Sequence, residues 1–231
     1  MGFEQIKVEL QDHMGSDKAI AECAWTSSYT LDKKEDKSPE QVAKLVEMLA
    51  NEQHGVPFEA VIFRFWARIP KFVDEQLKKH RLSTQNGMSG RYRTMPDEFY
   101  FLPDDVKAIL NKAFYGDDIL NAFSSQCLVA NQCYTTCLDM LKQDQKEALI
   151  TNAEYKRCRE VLRGMLPQGN MTETTFIFNL RSLANFFKQR SDWEHAQPEI
   201  AILSDRMQDL VELSGVCPVA FKVLKKNGWR I

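Results

Sequence analysis

The chain has 231 residues, 44% of them hydrophobic and 27% charged, with a formal net charge of -2. That is enough apolar material to bury a core without a disulfide framework or a structural metal, and the near-neutral balance argues against a protein that holds nucleic acid by bulk charge. No window approaches the roughly eighteen uncharged apolar residues of a membrane span, and residues 1–12 mix acids with alternation, so neither a transmembrane helix nor a signal peptide is expected.

In chain order, residues 6–10 alternate as a short strand does, and 12–17 (DHMGSD) read as a polar turn. Ser38-Pro-Glu-Gln41 predicts a helix start, with Ser38 as cap, Pro39 in the first turn and Gln41 closing a capping box. Val42, Leu45, Val46 and Leu49 then recur on one face, which goes to a core. The run FEAVIFRFWARI over 58–69 predicts a strand ending at Pro70, where a second helix begins and runs to about Arg81. Asn86-Gly87 and Ser89-Gly90 carry turn chemistry. Residues 98–102 resume as a strand with Phe99 and Phe101 in its core, and most of 104–164 reads as helices broken near Gly116 and Asn152. Residues 172–178 predict another strand, and helices at about 180–190, 196–214 and 217–226 finish the chain. No repeat, low-complexity tract or linker interrupts this order, which favours one α+β domain over 1–231.

The six cysteines, Cys23, Cys127, Cys133, Cys137, Cys158 and Cys217, make no C-x-x-C pair and are too sparse for a disulfide framework. Reduced, mostly buried thiols in a cytoplasmic protein are the expectation. Cys133 and Cys137 share a helix face at i, i+4 and are read as core, because no nearby histidine completes a metal tetrad; no metal is expected.

Residues 76–92, QLKKHRLSTQNGMSGRY, gather Lys78, Lys79, His80, Arg81 and Arg91, with Arg93 just beyond and no Asp or Glu from Leu77 to Pro96. Adjacent cations repel, so such a cluster is tolerated when it is solvated or holds an anion. On the predicted helix Gln76, Lys79 and His80 share one face. After it, the hydroxyl of Ser89, the backbone N–H groups near Gly90 and the forked guanidinium of Arg91 are able to converge on one phosphate. The local pattern leaves an anion site and a solvated face evenly matched. A second segment, Asn179-Leu-Arg-Ser-Leu-Ala-Asn185, places Asn179 and Arg181 where a strand passes into a helix, with Asn185 and Arg190 farther along. Read as a helix, Arg181, Asn185 and Arg190 are not all core positions, which points to a polar pocket.

These residues carry a resemblance. Lys79-His80-Arg81, seven residues and then Ser89 resemble the R-H-R-x7-S motif of flavin-dependent thymidylate synthases, with Lys in the first Arg position. Asn86-x-x-Ser89-Gly90-Arg91-Tyr92 extends the likeness, and Gln76 stands where that family has a Gln. Upstream, residues 12–17 and His54-x-x-Pro57-Phe58-Glu59 are similar to family segments. Downstream, Arg163-x-x-Leu166-Pro167, Asn179-Leu-Arg-Ser-Leu and His195-Ala-Gln-x-Glu199-Ile200 follow in the family's order. All four histidines, His13, His54, His80 and His195, fall inside these segments.

The resemblance implies a small central antiparallel sheet flanked by long helices. It also implies the methylation of dUMP to dTMP with 5,10-methylenetetrahydrofolate as carbon donor and with FAD and NADPH for the hydride, in a cytoplasmic homotetramer whose active sites lie between subunits. By that likeness Gln76, Lys79, Ser89, Gly90, Arg91, Arg163 and Arg190 bind the nucleotide. Lys79, His80, Arg81, Asn179, Arg181, Asn185 and His195 bind FAD. Arg190 takes the catalytic part of a fixed cation that favours ionised uracil N3, and Ser89 positions the nucleotide, since no base is in evidence to activate it as a nucleophile.

The chain also departs from the pattern. Lys79 replaces a planar guanidinium with a point charge, Gly87 stands for a usual Glu, Trp25 for the Arg of an A-R-V-S segment and Val56 for a hydroxyl residue, and one extra residue separates Arg190 from His195. Two other readings follow: a nucleotide- and flavin-binding paralogue without turnover, or a module that stacks single-stranded nucleic acid on Tyr92 and Tyr100. The last requires aromatics interleaved with exposed cations, whereas Phe99 and Phe101 read as strand core.

Overall fold

The computed structural model describes residues 2–27 and 37–231. Along the chain run β1 (Lys7–Met14), α1 (Asp17–Trp25), α2 (Pro39–Asn51), β2 (Ile62–Pro70), α3 (Lys71–Leu77) and β3 (Ser83–Gly87), and then α4 (Asp104–Leu110), α5 (Gly116–Lys146), α6 (Asn152–Leu162), β4 (Met171–Asn179), α7 (Leu180–Arg190), α8 (Pro198–Ser214) and α9 (Pro218–Lys226). The strands form one sheet in the order β1-β2-β4-β3. Leu180 N–H donates to Val61 O at 2.8 Å, and Lys71 N–H to Asn170 O at 3.0 Å, so β2 and β4 run antiparallel. The α+β class with a small antiparallel sheet among helices is what the sequence leads one to expect.

The chain packs as two compact units, each assembled from three stretches. A sheet unit comprises Lys7–Ala67, Glu75–Asn86 and Thr174–Ile231; a helical unit comprises the N-terminal residues to Ile6, Arg68–Asp74 and Gly87–Glu173.

In the sheet unit, alternate residues of β2 and β4 (Phe63, Phe65, Ala67; Thr174, Phe176, Phe178) are buried, the period-two pattern of a strand with one face on a core. Phe65 and Phe176 stack at 5.5 Å, and Phe178 meets Phe186 of α7 at 5.7 Å. Helix α2 begins at the predicted capping box, with both Ser38–Gln41 hydrogen bonds present, and buries Val42, Val46 and Leu49. Helix α9 starts on a residue far away in sequence: the Asp17 carboxylate accepts N–H bonds from Val219 (3.0 Å) and Ala220 (2.9 Å), satisfying donors that a helix start leaves orphaned. Burial holds this carboxyl above its ordinary pKa against the pull of those two bonds.

In the helical unit α5 packs against α4 and α6. Tyr134 and Leu138 of α5 cluster with Met95 and Leu166, and Met95 N–H donates to the Tyr134 hydroxyl at 3.4 Å. The helices of 104–164 break at Gly116 and before Asn152, as predicted.

Several elements differ from expectation. β1 runs on through Asp12 and His13 to Met14, and the turn is compressed into Gly15. Its φ is +95°, and a Cβ there would lie 2.5 Å from Ala60 O, a position only glycine fills. β2 starts at Ile62 because Val56–Ala60 forms a 3-10 turn with Pro57 in its first turn, where a missing N–H costs nothing. α3 ends at Leu77, four residues short of Arg81, so Lys79 and His80 are not helical. Asn86-Gly87 is not a turn but the end of β3. Residues 98–102 form no strand: Phe99 makes a single bridge to Asn170, Phe101 is exposed, and Pro96 and Pro103 flank the segment. Tyr100 is buried while Tyr92 is exposed, which is not the interleaved platform that strand-stacking needs.

The cysteines also differ. All six are free, but only Cys127 and Cys217 are buried; Cys137 and Cys158 are half-buried, and Cys23 and Cys133 exposed. The i, i+4 pair on α5 is therefore surface, not core. Among the described residues no helix is long and apolar enough to cross a membrane.

Candidate functional site

The sheet unit holds nine of the predicted residues: Gln76, Lys79, His80, Arg81, Asn179, Arg181, Asn185, Arg190 and His195. Past Leu77 the chain tightens into single turns, Lys79 N–H to Gln76 O (3.2 Å) and His80 N–H to Leu77 O (3.1 Å). Leu82 then takes φ +62°, a left-handed conformation that costs a leucine on the order of 1 kcal/mol or more. The outcome is selective burial: His80 is only 7% exposed, while Lys79 and Arg81 on either side are exposed.

His80 Nε2 accepts a hydrogen bond from Arg190 Nε at 3.0 Å, and its ring lies edge-on to Phe186 at 4.9 Å. Burial, with the Arg190 charge second, pushes the His80 pKa down to about 4. The imidazole is thus neutral at physiological pH and serves as an acceptor.

Asn179 is the N-cap of α7: its Oδ1 accepts from Ser182 N at 2.8 Å, leaving the side-chain NH2 as donor. Arg181, in the first turn, is braced by Glu59, Nη1 to Oε1 2.8 Å. It lines a cavity of about 690 Å3 together with Trp25, Met48, His54, Val56 and Pro57, a volume and lining typical of small-molecule pockets. One guanidinium, the indole plane of Trp25 and the side-chain amide of Gln53 around such a cavity suit a planar heterocycle that carries phosphate. Gln76 Nε2 donates to Gln197 Oε1. Asn185 and His195 are exposed and turn to local partners: Gln189 Nε2 donates to Asn185 Oδ1 (3.1 Å), and His195 Nδ1 lies 2.9 Å from Asp192 Oδ2, which holds the Asp192 carboxyl below its ordinary range. Arg181, Asn185 and Arg190 thus turn to different partners, Glu59, Gln189 and His80, and only Arg181 lines the cavity.

The helical unit holds the other four, Ser89, Gly90, Arg91 and Arg163. Tyr92 N–H and Arg93 N–H both donate to Ser89 O (3.1 and 3.3 Å), and Arg91 N–H donates to Ser89 Oγ (3.3 Å), so a tight turn presents the hydroxyl and Arg91 together. A Cβ on Gly90 would sit 3.0 Å from Arg163 Cδ and 3.3 Å from Met95; glycine here lets the loop lie against the arginine stem. Arg91 Nε donates to Glu160 Oε1 at 2.9 Å, which raises the Arg91 pKa and lowers that of Glu160. Arg159 donates to the Arg91 carbonyl.

Sequence reasoning passes over Glu160 and Glu59 as site residues, although both fix an arginine. Glu160 stands three residues from Arg157 and from Arg163 on a charged helix, which marks a solvated face; nothing local signals its long-range pairing with Arg91.

The family described as thymidylate synthase complementing protein matches residues 9–219. A flavin-dependent thymidylate synthase of Rickettsia conorii is 29% identical over 226 residues, covering 91% of this chain and 75% of the relative. One from Thermotoga neapolitana is 33% identical over 193 residues, covering 84% and 79%. Among solved structures, the UMP/dUMP methylase PolB of Streptomyces cacaoi, bound with 5-Br dUMP, superposes with a TM-score of 0.76 at 24% identity, covering 97% of this chain and 96% of that one; at this identity the likeness is one of fold. With a match from residue 9 to 219 and relatives near 30% identity that are named flavin-dependent thymidylate synthase, this chain belongs to the thymidylate synthase complementing protein family.

Proposed function

We propose that the chain is a working flavin-dependent thymidylate synthase: it methylates dUMP to dTMP with 5,10-methylenetetrahydrofolate as carbon donor and FAD with NADPH as source of the hydride. The observation that carries the reading is Arg190 held on neutral His80, which stands inside the K-H-R-x7-S motif. A fixed cation in a half-buried site stabilises negative charge developing on a uracil ring. Gln76, Lys79, Ser89, Gly90, Arg91, Arg163 and Arg190 would hold the nucleotide. His80, Arg81, Asn179, Arg181, Asn185 and His195, with Lys79, would hold FAD, which when bound supplies the redox chemistry that no side chain offers. The Arg181 cavity, with Trp25 and Gln53 in its wall, fits part of such a dinucleotide.

The test is tritium release from C5-labelled dUMP in the presence of methylenetetrahydrofolate, FAD and NADPH. Release supports the proposal; its absence in a protein that binds FAD and dUMP supports a binding paralogue, for which the Lys79 and Gly87 departures argue. Labelled UMP belongs in the same assay, because PolB is a methylase of both UMP and dUMP.

Assembly as a cytoplasmic homotetramer belongs to the same reading. It is supported by large apolar side chains left exposed in the helical unit, among them Phe114, Ile119, Val129, Met140 and Val161, a pattern that marks association surfaces. Light scattering should return four times the chain mass.

A further inference from the structure

The arginines of the two clusters are held in different ways. Arg181 is braced by the carboxylate of Glu59 and Arg91 by that of Glu160. Arg190 has no carboxylate partner among the described residues; its Nε is bound by an imidazole. A carboxylate cancels the charge that it orients, whereas a neutral acceptor orients the guanidinium and leaves its full charge to act on a ligand.

The hydrogen bond also fixes where the His80 proton lies. A guanidinium carries donors and no acceptor, so the Nε2 that faces Arg190 must present its lone pair, and the single ring proton is on Nδ1. The ring has little room to turn: it is 7% exposed, Phe186 packs edge-on at 4.9 Å, and its backbone is tied at both ends, with His80 N–H donating to Leu77 O and Ser83 Oγ donating to His80 O at 2.8 Å. Nδ1 has no hydrogen-bond partner among the described residues. Because Arg190 is engaged through Nε, its two Nη groups stay available as a fork.

We propose that His80 is a positioning residue of one tautomer: its Nε2 lone pair aims Arg190 without neutralising it, and its Nδ1–H is a fixed donor to an acceptor atom of a bound heterocycle, a carbonyl oxygen or bare ring nitrogen of flavin or uracil. The choice of ligand rests on the function proposed above; the tautomer and the Arg190 contact do not. The low His80 pKa agrees with the geometry, since protonation would set N–H against N–H and cation against cation.

Nitrogen-15 NMR of the histidine-labelled protein at about pH 7 tests the first half, with the His80 signal assigned by its loss in His80→Gln. The expected result is a neutral ring protonated on Nδ1; a protonated Nε2 overturns the proposal. Adding FAD alone and dUMP alone then tells which ligand accepts from Nδ1–H, by which addition moves that signal; a signal moved by neither overturns the donor role.

Two variants separate aiming from packing. The amide oxygen of His80→Gln reaches the place of Nε2 and still accepts from Arg190, but offers no donor at the Nδ1 position. His80→Asn places its amide near Nδ1 and loses the Arg190 contact. Loss of an oriented charge from the transition state costs about a hundredfold in kcat, and loss of one ligand hydrogen bond about tenfold in affinity. His80→Asn should therefore drop kcat about a hundredfold, while His80→Gln stays within about tenfold in kcat and weakens binding of the ligand identified by NMR. Equal kcat losses in the two would make His80 a packing residue and overturn the aiming role. If neither the native chain nor any variant turns over dUMP while Nδ1 is protonated and FAD moves its signal, the functional reading fails and the positioning one stands.

Discussion

Arg91 Nε and Glu160 Oε1 lie 2.9 Å apart across 69 residues of sequence, so the loop arginine proposed to bind a phosphate already rests on an anion from its own chain. A carboxylate on a guanidinium has much of the shape and charge of a phosphate edge. If Arg91 binds the nucleotide as proposed, binding would have to displace or share that partner, which would make Glu160 an internal competitor.

Glu160→Gln should then tighten dUMP binding. Exposed pairs of this kind are weak, so the gain is about two- to fivefold in Kd, measurable by titration calorimetry. Gln keeps the length of the side chain and its packing on α6 while removing the charge, so weaker binding by the variant would mean that Glu160 orients Arg91 for the phosphate instead of competing with it.

The thiols divide by environment. Burial, with the Asp17 charge second, pushes Cys217 up to about 12, and burial raises Cys127 as well, whereas Cys23 is exposed. Since the thiolate is the reactive form, alkylation of the native protein near pH 8 followed by peptide mapping should mark Cys23 and spare Cys127 and Cys217. Labelling of Cys217 before unfolding would contradict its burial against Asp17.

Much of the fold was legible because its signals are local. Ser38 and Gln41 close a capping box within four residues, β4 alternates, and Asn179 caps the helix that follows it. β3 was not legible, because Ser83–Gly87 is made of turn residues; what holds an edge strand is main-chain bonding to its neighbour, and polar residues suit an edge. The segment 98–102 misleads in the opposite direction: its side chains favour a strand, but flanking prolines limit its pairing to one bridge. The family likeness names candidate site residues, while the partner of each arginine was not legible. His80 meets Arg190 across 110 residues and Arg181 meets Glu59 across 122, distances over which no spacing rule reaches.

Asp17 joins the start of α1 to the start of α9. Asp17→Ala leaves the N–H groups of Val219 and Ala220 without an acceptor in a half-buried place, and loss of a helix cap of this kind costs about 1–2 kcal/mol. Asp17→Asn retains an acceptor oxygen and should lose less. Urea unfolding of both variants checks the order; equal losses would mean that the carboxylate charge, not the acceptor, does the stabilising.

His80 makes stability depend on pH in a defined window. Its pKa is 6.5 as an unperturbed group and about 4 in the folded chain, so between those values the unfolded state binds more protons than the folded one. Stability from this residue is then fully present above about pH 6.5, declines as pH falls toward 4, and changes no further below that. With the half-buried setting allowed for, the loss is on the order of 2 kcal/mol. His80→Gln cannot titrate and keeps an acceptor for Arg190, so its unfolding free energy should fall less than that of the native chain between pH 7 and pH 4.5. Urea midpoints at the two pH values measure the difference, and parallel losses in the two proteins would mean that the folded chain does not depress the His80 pKa.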